Sequence, residues 1–285
     1  VHAAETAQTG LDYFDSWAAE LIETGYLHNH ARMWFASIWI FTLKLPWRLG
    51  ADFFLRNLLD GDPASNTLSW RWVAGLHTRG KPYVAQASNI ARFTEERFVP
   101  RAQELTQSAS GLEALEPDGL PECNPPRVPN APQLHLPTAL LLTEEDCRIE
   151  DFPFRDLICT AAATLAASPL RSPRDVAQLV VRFEAGALAD VAQRSGLAVS
   201  AMQIGAPSDL AWWALQSGAQ QIVTPYVPVG PLRDWLARAQ PELEAAGISL
   251  TEWRRDWDAM IWPHATAGFF KVKKQIPKFL RTICA

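Results

Sequence analysis

Seven prolines fall between Glu116 and Pro137: Pro117, Pro121, Pro125, Pro126, Pro129, Pro132 and Pro137. Each one fixes φ and removes a backbone donor, so neither a helix nor a central strand runs through such a density. The stretch reads as a linker or an extended strap. It divides the 285-residue chain into parts with different patterning. The expected boundaries are 1–112, a proline-rich linker at 113–137, and 138–285.

Upstream, the spacing is helical. Leu11, Phe14, Trp17, Ala18, Leu21 and Ile22 share one face, and Gly25 stops the pattern. From His28 to Leu43 the chain is apolar nearly all round, which predicts a helix buried on most sides, ended by Pro46. A third helix is expected over 50–59, carried by Phe53, Phe54, Leu58 and Leu59. In Asp60-Gly61-Asp62-Pro63, Gly61 permits a turn, Asp62 can cap, and Pro63 suits the first position of a fourth helix reaching about Ala74. Residues 1–112 are therefore expected to be all-helical. Downstream, Thr138–Thr143, Leu197–Met202, Gln220–Tyr226 and Ile248–Trp253 are short β-leaning runs. Helical stretches near 184–195, 207–217 and 229–246 separate them. That alternation predicts a small α/β domain with a parallel, Rossmann-like sheet. No GxGxxG or phosphate-binding loop sits at its strand ends.

The formal net charge is −5, so the chain as a whole is no polycation, and any DNA contact needs a local patch. Lys271, Lys273, Lys274, Lys278 and Arg281 form one basic stretch. It reads first as a solvated helix face, with a phosphate or DNA contact as the functional alternative. Cys123, Cys147, Cys159 and Cys284 lack metal-ligand spacing, so no metal site is expected and a reduced, cytoplasmic setting is the default. The longest uncharged apolar run, Met33 to Leu43, is far short of the ~20 residues of a membrane span, so no membrane partner is expected. The chain starts at Val and enters an amphipathic pattern almost at once, which suggests an N-terminally truncated chain.

Residues 24–72 carry the chemistry. TGY-x-HN-x-x-RM is followed by W-R-x-G, then F-x-x-x-L-x-DGD-x-x-x-N, then W-x-W. This ordered set closely resembles the flavin-binding core of the DNA photolyase/cryptochrome family. The resemblance is strong over roughly 9–95 and weak over 138–285, where WPHATAGFFKVKKQIPKFL is faintly similar to part of the family's antenna-type α/β domains. Taken from the residues alone, Asn29, Arg32 and Met33 lie at i, i+3, i+4 and share a helix face. The resemblance implies FAD as cofactor, with Asn29 at the flavin N5 and a buried Arg32–Asp60 ion pair beside the ring. It also implies that Asp62 accepts from the flavin's polar edge after the Gly61 turn, and that Asn66 is a further contact. A reduced flavin ring carries negative charge, and a fixed cation with fixed donors suits it. The bland alternative is that Asp60 and Asp62 merely cap a helix while Arg32 is a surface charge.

Twelve tryptophans are unusual for this length. By the resemblance, Trp47 and Trp70 match the middle and flavin-proximal members of an electron relay, while Trp72 flanks a flipped pyrimidine dimer with Met33 lining the same pocket. Trp70 and Trp72 stand two apart on a helix, about 200° around it, and so are not expected to serve one surface. Trp17, Trp34, Trp39, Trp212 and Trp213 read as core aromatics. The family's phosphate-binding segment, its distal relay Trp and part of its repair pocket match nothing in this chain and are expected upstream of it. His30 stands where repair enzymes commonly carry an Arg, and a neutral imidazole neutralises no phosphate. His28 and His30 read as helix-start residues.

The implied function is a photolyase-type lyase, in which light drives an electron from reduced FAD to a pyrimidine dimer in damaged DNA. The alternative is a cryptochrome-like photoreceptor that signals through a protein partner, and a third reading is a flavin-free interaction scaffold. The antenna chromophore, if there is one, is not identified by the sequence.

Overall fold

The structure is a computed structural model and describes residues 1–283, so Cys284 lies outside the described residues. The chain divides into two compact units. The first comprises residues 1–120 together with 168–183, and the second comprises 121–167 together with the chain from 184 onward.

The first unit is helical. Its elements are α1 (His2–Glu5), α2 (Asp12–Thr24), α3 (Asn29–Ser37), α4 (Trp47–Asn57), α5 (Pro63–Val73) and α6 (Ala87–Phe93). Gly25 ends α2 in the left-handed region (φ 69°), with its N–H on the Leu21 carbonyl at 2.9 Å. A side chain there would also meet Leu59, whose own N–H returns to the Gly25 carbonyl at 2.9 Å. The 60–62 turn is thereby tied beneath the α2–α3 connection. The helix expected from His28 to Leu43 widens its hydrogen-bond spacing midway: α3 stops at Ser37 and Ile38–Thr42 is a π-helical turn, closed by Leu43 N–H on the Ile38 carbonyl at 2.8 Å. Such wide turns are rare and are common at functional sites. The third helix begins at Trp47 rather than at 50, directly after Pro46.

Aromatic rings hold this unit together. Phe14 stacks on Phe35 with centroids 4.2 Å apart, Phe35 meets Phe54 at 5.1 Å, and Phe54 meets Trp70 edge-on at 5.1 Å. Pairs of this kind contribute about 0.5–1.5 kcal/mol each beyond the area they bury. Trp17, Trp34 and Trp39 are buried, as their spacing predicts.

Residues 168–183 belong to this unit through an ion-pair cluster on α4. Arg174 binds Glu5 at 2.7 Å and Asp52 at 2.6 Å, and Arg56 binds the same two carboxylates at 3.0 and 2.8 Å. Burial alone pushes the Asp52 carboxyl up, but hydrogen bonds from Ser172, Arg174 and Arg56 outweigh it and hold the group below its ordinary range. Arg171 donates to the Leu55 and Leu58 carbonyls at 3.3 and 3.1 Å, closing the open end of α4 just before the 60–62 turn.

The second unit is α/β. Its five strands are β1 (Pro137–Thr143), β2 (Ile158–Ala166), β3 (Val199–Gln203), β4 (Gln221–Pro225) and β5 (Ser249–Trp253). They are parallel throughout, in the order β3-β2-β1-β4-β5. The helices are α7 (Gln178–Ser195), which starts in the first unit, then α8 (Pro207–Gln216), α9 (Pro231–Ala245), α10 (Asp256–Ile261), α11 (Gly268–Lys273) and α12 (Ile276–Ile283). The Rossmann-like expectation is met, with one strand missed. β2 reads ICTAAATLA, and its four alanines carry no strand preference.

Trp212 does not join the core: it is 65% exposed, because α8 buries Leu210, Ala211 and Ala214 instead. The proline-rich stretch lies against this unit. The Glu252 N–H bonds the Asn130 carbonyl at 2.9 Å, and buried Gln221 exchanges bonds with the Gln133 backbone at 2.6 and 3.1 Å.

Candidate flavin site

The site is built where α3, α4 and α5 approach one another. His28 starts α3, its ring nitrogen accepting the His30 N–H at 3.3 Å, so Asn29, Arg32 and Met33 follow on the first turns. Asp62 accepts the Ser65 N–H at 2.6 Å and Pro63 takes the first helical position, as the turn sequence predicts. A cavity of about 480 Å³ lies between these elements, within the usual range for small-molecule sites. Ala36, Phe54, Leu58 and Val73 supply its apolar wall. Around it stand Asn29, Arg32, Met33, Asp60, Gly61, Asp62, Asn66, Trp70 and Trp72. Nine of the ten residues singled out in the sequence thus line one cavity, and the tenth, Trp47, does not.

Arg32 is fixed from two sides. Its Nε donates to the Leu27 carbonyl at 2.8 Å, and its Nη2 meets both Asp60 oxygens at 2.9 and 3.1 Å. The expected burial of this pair is not found: the side chains are 25% and 57% exposed, because both face the open cavity. A pair so exposed contributes only about 0–1 kcal/mol to folding. Asn29 makes only a long contact to the Met33 sulfur at 4.0 Å. Asn66 is held in place by donating to the Ala51 carbonyl at 2.8 Å.

Trp70 and Trp72 differ as their spacing predicts, the first 2% and the second 38% exposed. Both nevertheless reach the same cavity, which corrects the expectation that they serve separate surfaces. The cavity is wide enough to touch Trp70 on its inner wall and Trp72 at its rim. Tyr83 stacks on Trp72 at 5.3 Å and steadies that rim. Gly50 sits against Trp70, where a side chain would come within 2.3 Å of the indole.

Trp47 lies instead on a second cavity of about 680 Å³ with Ile40, Leu45 and Glu116, and the Arg48 guanidinium sits 5.7 Å from its ring. His30 is half-buried, stacked on Phe93 at 4.9 Å and Trp34 at 5.6 Å. That position agrees with a helix-start role.

Sequence reasoning missed Ser65, Leu68, Ser69 and His77, which complete the lining, and Arg171 behind the turn. A side chain at Gly61 would come within 2.8 Å of Arg171. Ser65, Ser69 and His77 carry no motif of their own, but the pitch of α5 places Ser65 and Ser69 beside Asn66 and Trp70. For Arg171, more than a hundred residues downstream, no local signal exists.

The donor set suits a flavin: an amide, a cation paired to a carboxylate, a capping carboxylate and a second amide stand around an apolar wall that ends in an indole. Among the described residues, no helix is long and apolar enough to cross a membrane.

Residues 1–105 match the family model described as the FAD-binding domain of DNA photolyase. The chain is similar to the deoxyribodipyrimidine photo-lyase of Streptomyces griseus, 44% identical over 82 residues covering 29% of this chain and 18% of that protein. The Neurospora crassa enzyme of the same name is 37% identical over 99 residues, 35% of this chain and 16% of that protein. The Escherichia coli one is 36% identical over 83 residues, 29% of this chain and 18% of that protein. The matches thus span less than a fifth of these relatives' lengths. No solved structure matches.

Proposed function

From the match of residues 1–105 to the FAD-binding domain of DNA photolyase, we propose that the cavity between α3, α4 and α5 holds the flavin ring of FAD in a light-driven enzyme that splits pyrimidine dimers in damaged DNA. The observation that carries this reading is the gathering of Asn29, Arg32, Asp60, Asp62, Asn66 and Trp70 around one apolar-walled cavity. When bound and reduced, FAD supplies the electron that light drives into the dimer. The chain's own residues hold and tune it. Asn29 is assigned to the flavin N5. The Arg32 charge, balanced by Asp60, offsets negative charge on the ring, and Asp62 accepts from its polar edge while keeping its capping bond. Asn66 anchors the α5 side. Trp72 and Met33, at the rim, take the flipped dimer by stacking and apolar contact. Trp70 and Trp47 pass electrons inward to restore the reduced state.

The test is blue-light illumination of an oligonucleotide carrying a thymine dimer, with the full-length protein and its flavin fully reduced. Dimers are expected to disappear, and Trp72→Ala to slow this about tenfold or more. An unchanged dimer content contradicts the repair reading.

A cryptochrome-like photoreceptor is the second reading. It is favoured by His30, whose ring is stacked on Phe93 and Trp34 at a position where the resemblance expects an arginine, and by the net charge of −5. It predicts light-dependent capture of a protein partner with no loss of dimers.

A further inference from the structure

At the head of α2 lies a further cavity, of about 460 Å³, which shares no lining residue with the two described above. Its wall includes Tyr13, Arg97, Arg101 and Glu104. Tyr13 is only 5% exposed, and its buried hydroxyl has no hydrogen-bond partner among the described residues. Burial, and after it the Glu104 charge, pushes the phenol up to about 12. The phenol is therefore protonated at neutral pH, and its hydroxyl end lies on the Glu104 side, where the cavity is. A buried O–H without an acceptor costs stability, so the site favours a group that accepts from it.

Other donors converge there. α2 starts at Leu11 without a capping side chain, so the open N–H groups of its first turn have no side-chain acceptor. Arg97 lies over the Phe98 ring at 4.9 Å and has no ion-pair partner among the described residues. It follows Glu95 and Glu96, whose φ values of 52° and 61° are both left-handed, a strained setting for two consecutive side chains. Arg101 is 83% exposed, with its Nε 3.8 Å from Glu104. The nearby carboxylates are already served. Asp15 accepts the Thr9 and Gly10 N–H groups at 2.9 Å each, Glu104 accepts the Arg101 N–H at 3.1 Å, and Asp12 is exposed to water. The positive end of α2 adds to the same sign. The phenol, the α2 N–H groups and two guanidiniums outnumber the two oxygens of a carboxylate and suit the three terminal oxygens of a phosphate monoester.

We propose that this cavity binds the phosphate group of a small phosphomonoester. The Tyr13 O–H and the α2 N–H groups take oxygens inside, and Arg97 and Arg101 meet them at the mouth. The volume lies within the usual range for small-molecule sites, which leaves room for the ester's carbon part beside Val99 and Pro100. A nucleic-acid strand presents its phosphates at a surface, whereas the Tyr13 hydroxyl is reached only from within.

The experiment is calorimetric titration of the full-length protein with glycerol 3-phosphate in a phosphate-free buffer. Saturable binding is expected. Tyr13→Phe is expected to bind about tenfold more weakly, as the loss of one hydrogen bond to a charged group implies. Its urea midpoint is expected to be unchanged, because the hydroxyl bonds nothing else. Arg97→Gln, an exposed change, is expected to weaken binding comparably and keeps the test decisive if the Tyr13 variant does not fold. Asp12→Asn is expected to bind more tightly. A wild type without saturable binding overturns the proposal, and so does equal binding by wild type, Tyr13→Phe and Arg97→Gln. Weaker binding in Asp12→Asn means that the site takes a cation, and overturns it as well. An undamaged oligonucleotide is expected not to compete with glycerol 3-phosphate, and competition would assign the site to a nucleic-acid backbone instead.

Discussion

In the α/β unit, Gln221 and Glu252 are fully enclosed and their polar atoms are satisfied within the unit. Gln221 bonds the Gln133 backbone and Thr138, while Glu252 accepts from Arg127 at 2.8 Å and the Val227 N–H at 3.0 Å. In the helical unit, Asn29, Arg32, Asp60, Asp62 and Asn66 stand around an open cavity, and their few bonds fix position without filling it. Closed polar groups of the first kind lock a strap to a sheet. Open ones of the second kind leave polar atoms facing an accessible cavity.

The largest effect is expected in the aromatic core. Phe35 is fully buried between Phe14 and Phe54, so Phe35→Ala is expected to cost the helical unit about 3–5 kcal/mol. Backbone hydrogen exchange in α2 and α3 should speed accordingly while β1 and β4 stay protected. Equal loss in both sets of strands and helices would mean that the units do not fold on separate cores.

A smaller effect is expected from Gln221→Ala. It strands the Gln133 backbone groups and takes away the donor to the Thr138 hydroxyl, which keeps its bond to the Leu136 carbonyl, at about 1–3 kcal/mol. Exchange in β4 should rise with no change in flavin content. A loss of flavin in this variant would join two regions that the comparison separates.

The smallest effect is a matter of pH. Asp52 is held below its ordinary value of 3.8 by Ser172, Arg174 and Arg56, so its contribution to stability is fully present above that value and is lost as pH falls through the lower folded-state value. Asp52→Asn should therefore be less stable than wild type at neutral pH, with the urea midpoints converging in strong acid. Midpoints that differ by the same amount at every pH would mean that the carboxylate charge is not what ties residues 168–183 to α4.

Much of the site was legible because it is local. Asn29, Arg32 and Met33 lie on α3, Asp60 to Asp62 in the turn before α5, and Asn66, Trp70 and Trp72 on α5, so helical spacing, the Gly25 stop and the Asp62-Pro63 cap already bring them together. What escaped the sequence depended on distance or on packing. Arg171 reaches α4 from a segment that interrupts the α/β part of the chain. The place of Trp39 beside Trp70 depends on a missing side chain at Gly50 and on a π-helical turn that periodicity does not report. β2 hid in an alanine run, and Trp212 faced outward on a helix whose other side does the packing. The openness of the Arg32–Asp60 pair also needed the structure, since charge pairing is readable from a motif but burial is not.

The most direct test is the visible absorption spectrum of the full-length protein, purified without added cofactor, beside its Asp60→Asn variant. The exposed ion pair contributes little to folding, so the account predicts a flavin band in the wild type and a clear loss of flavin in a variant whose denaturation midpoint is unchanged. A wild-type protein without flavin, or a variant that retains it fully, would contradict the claim that this cavity is the flavin site.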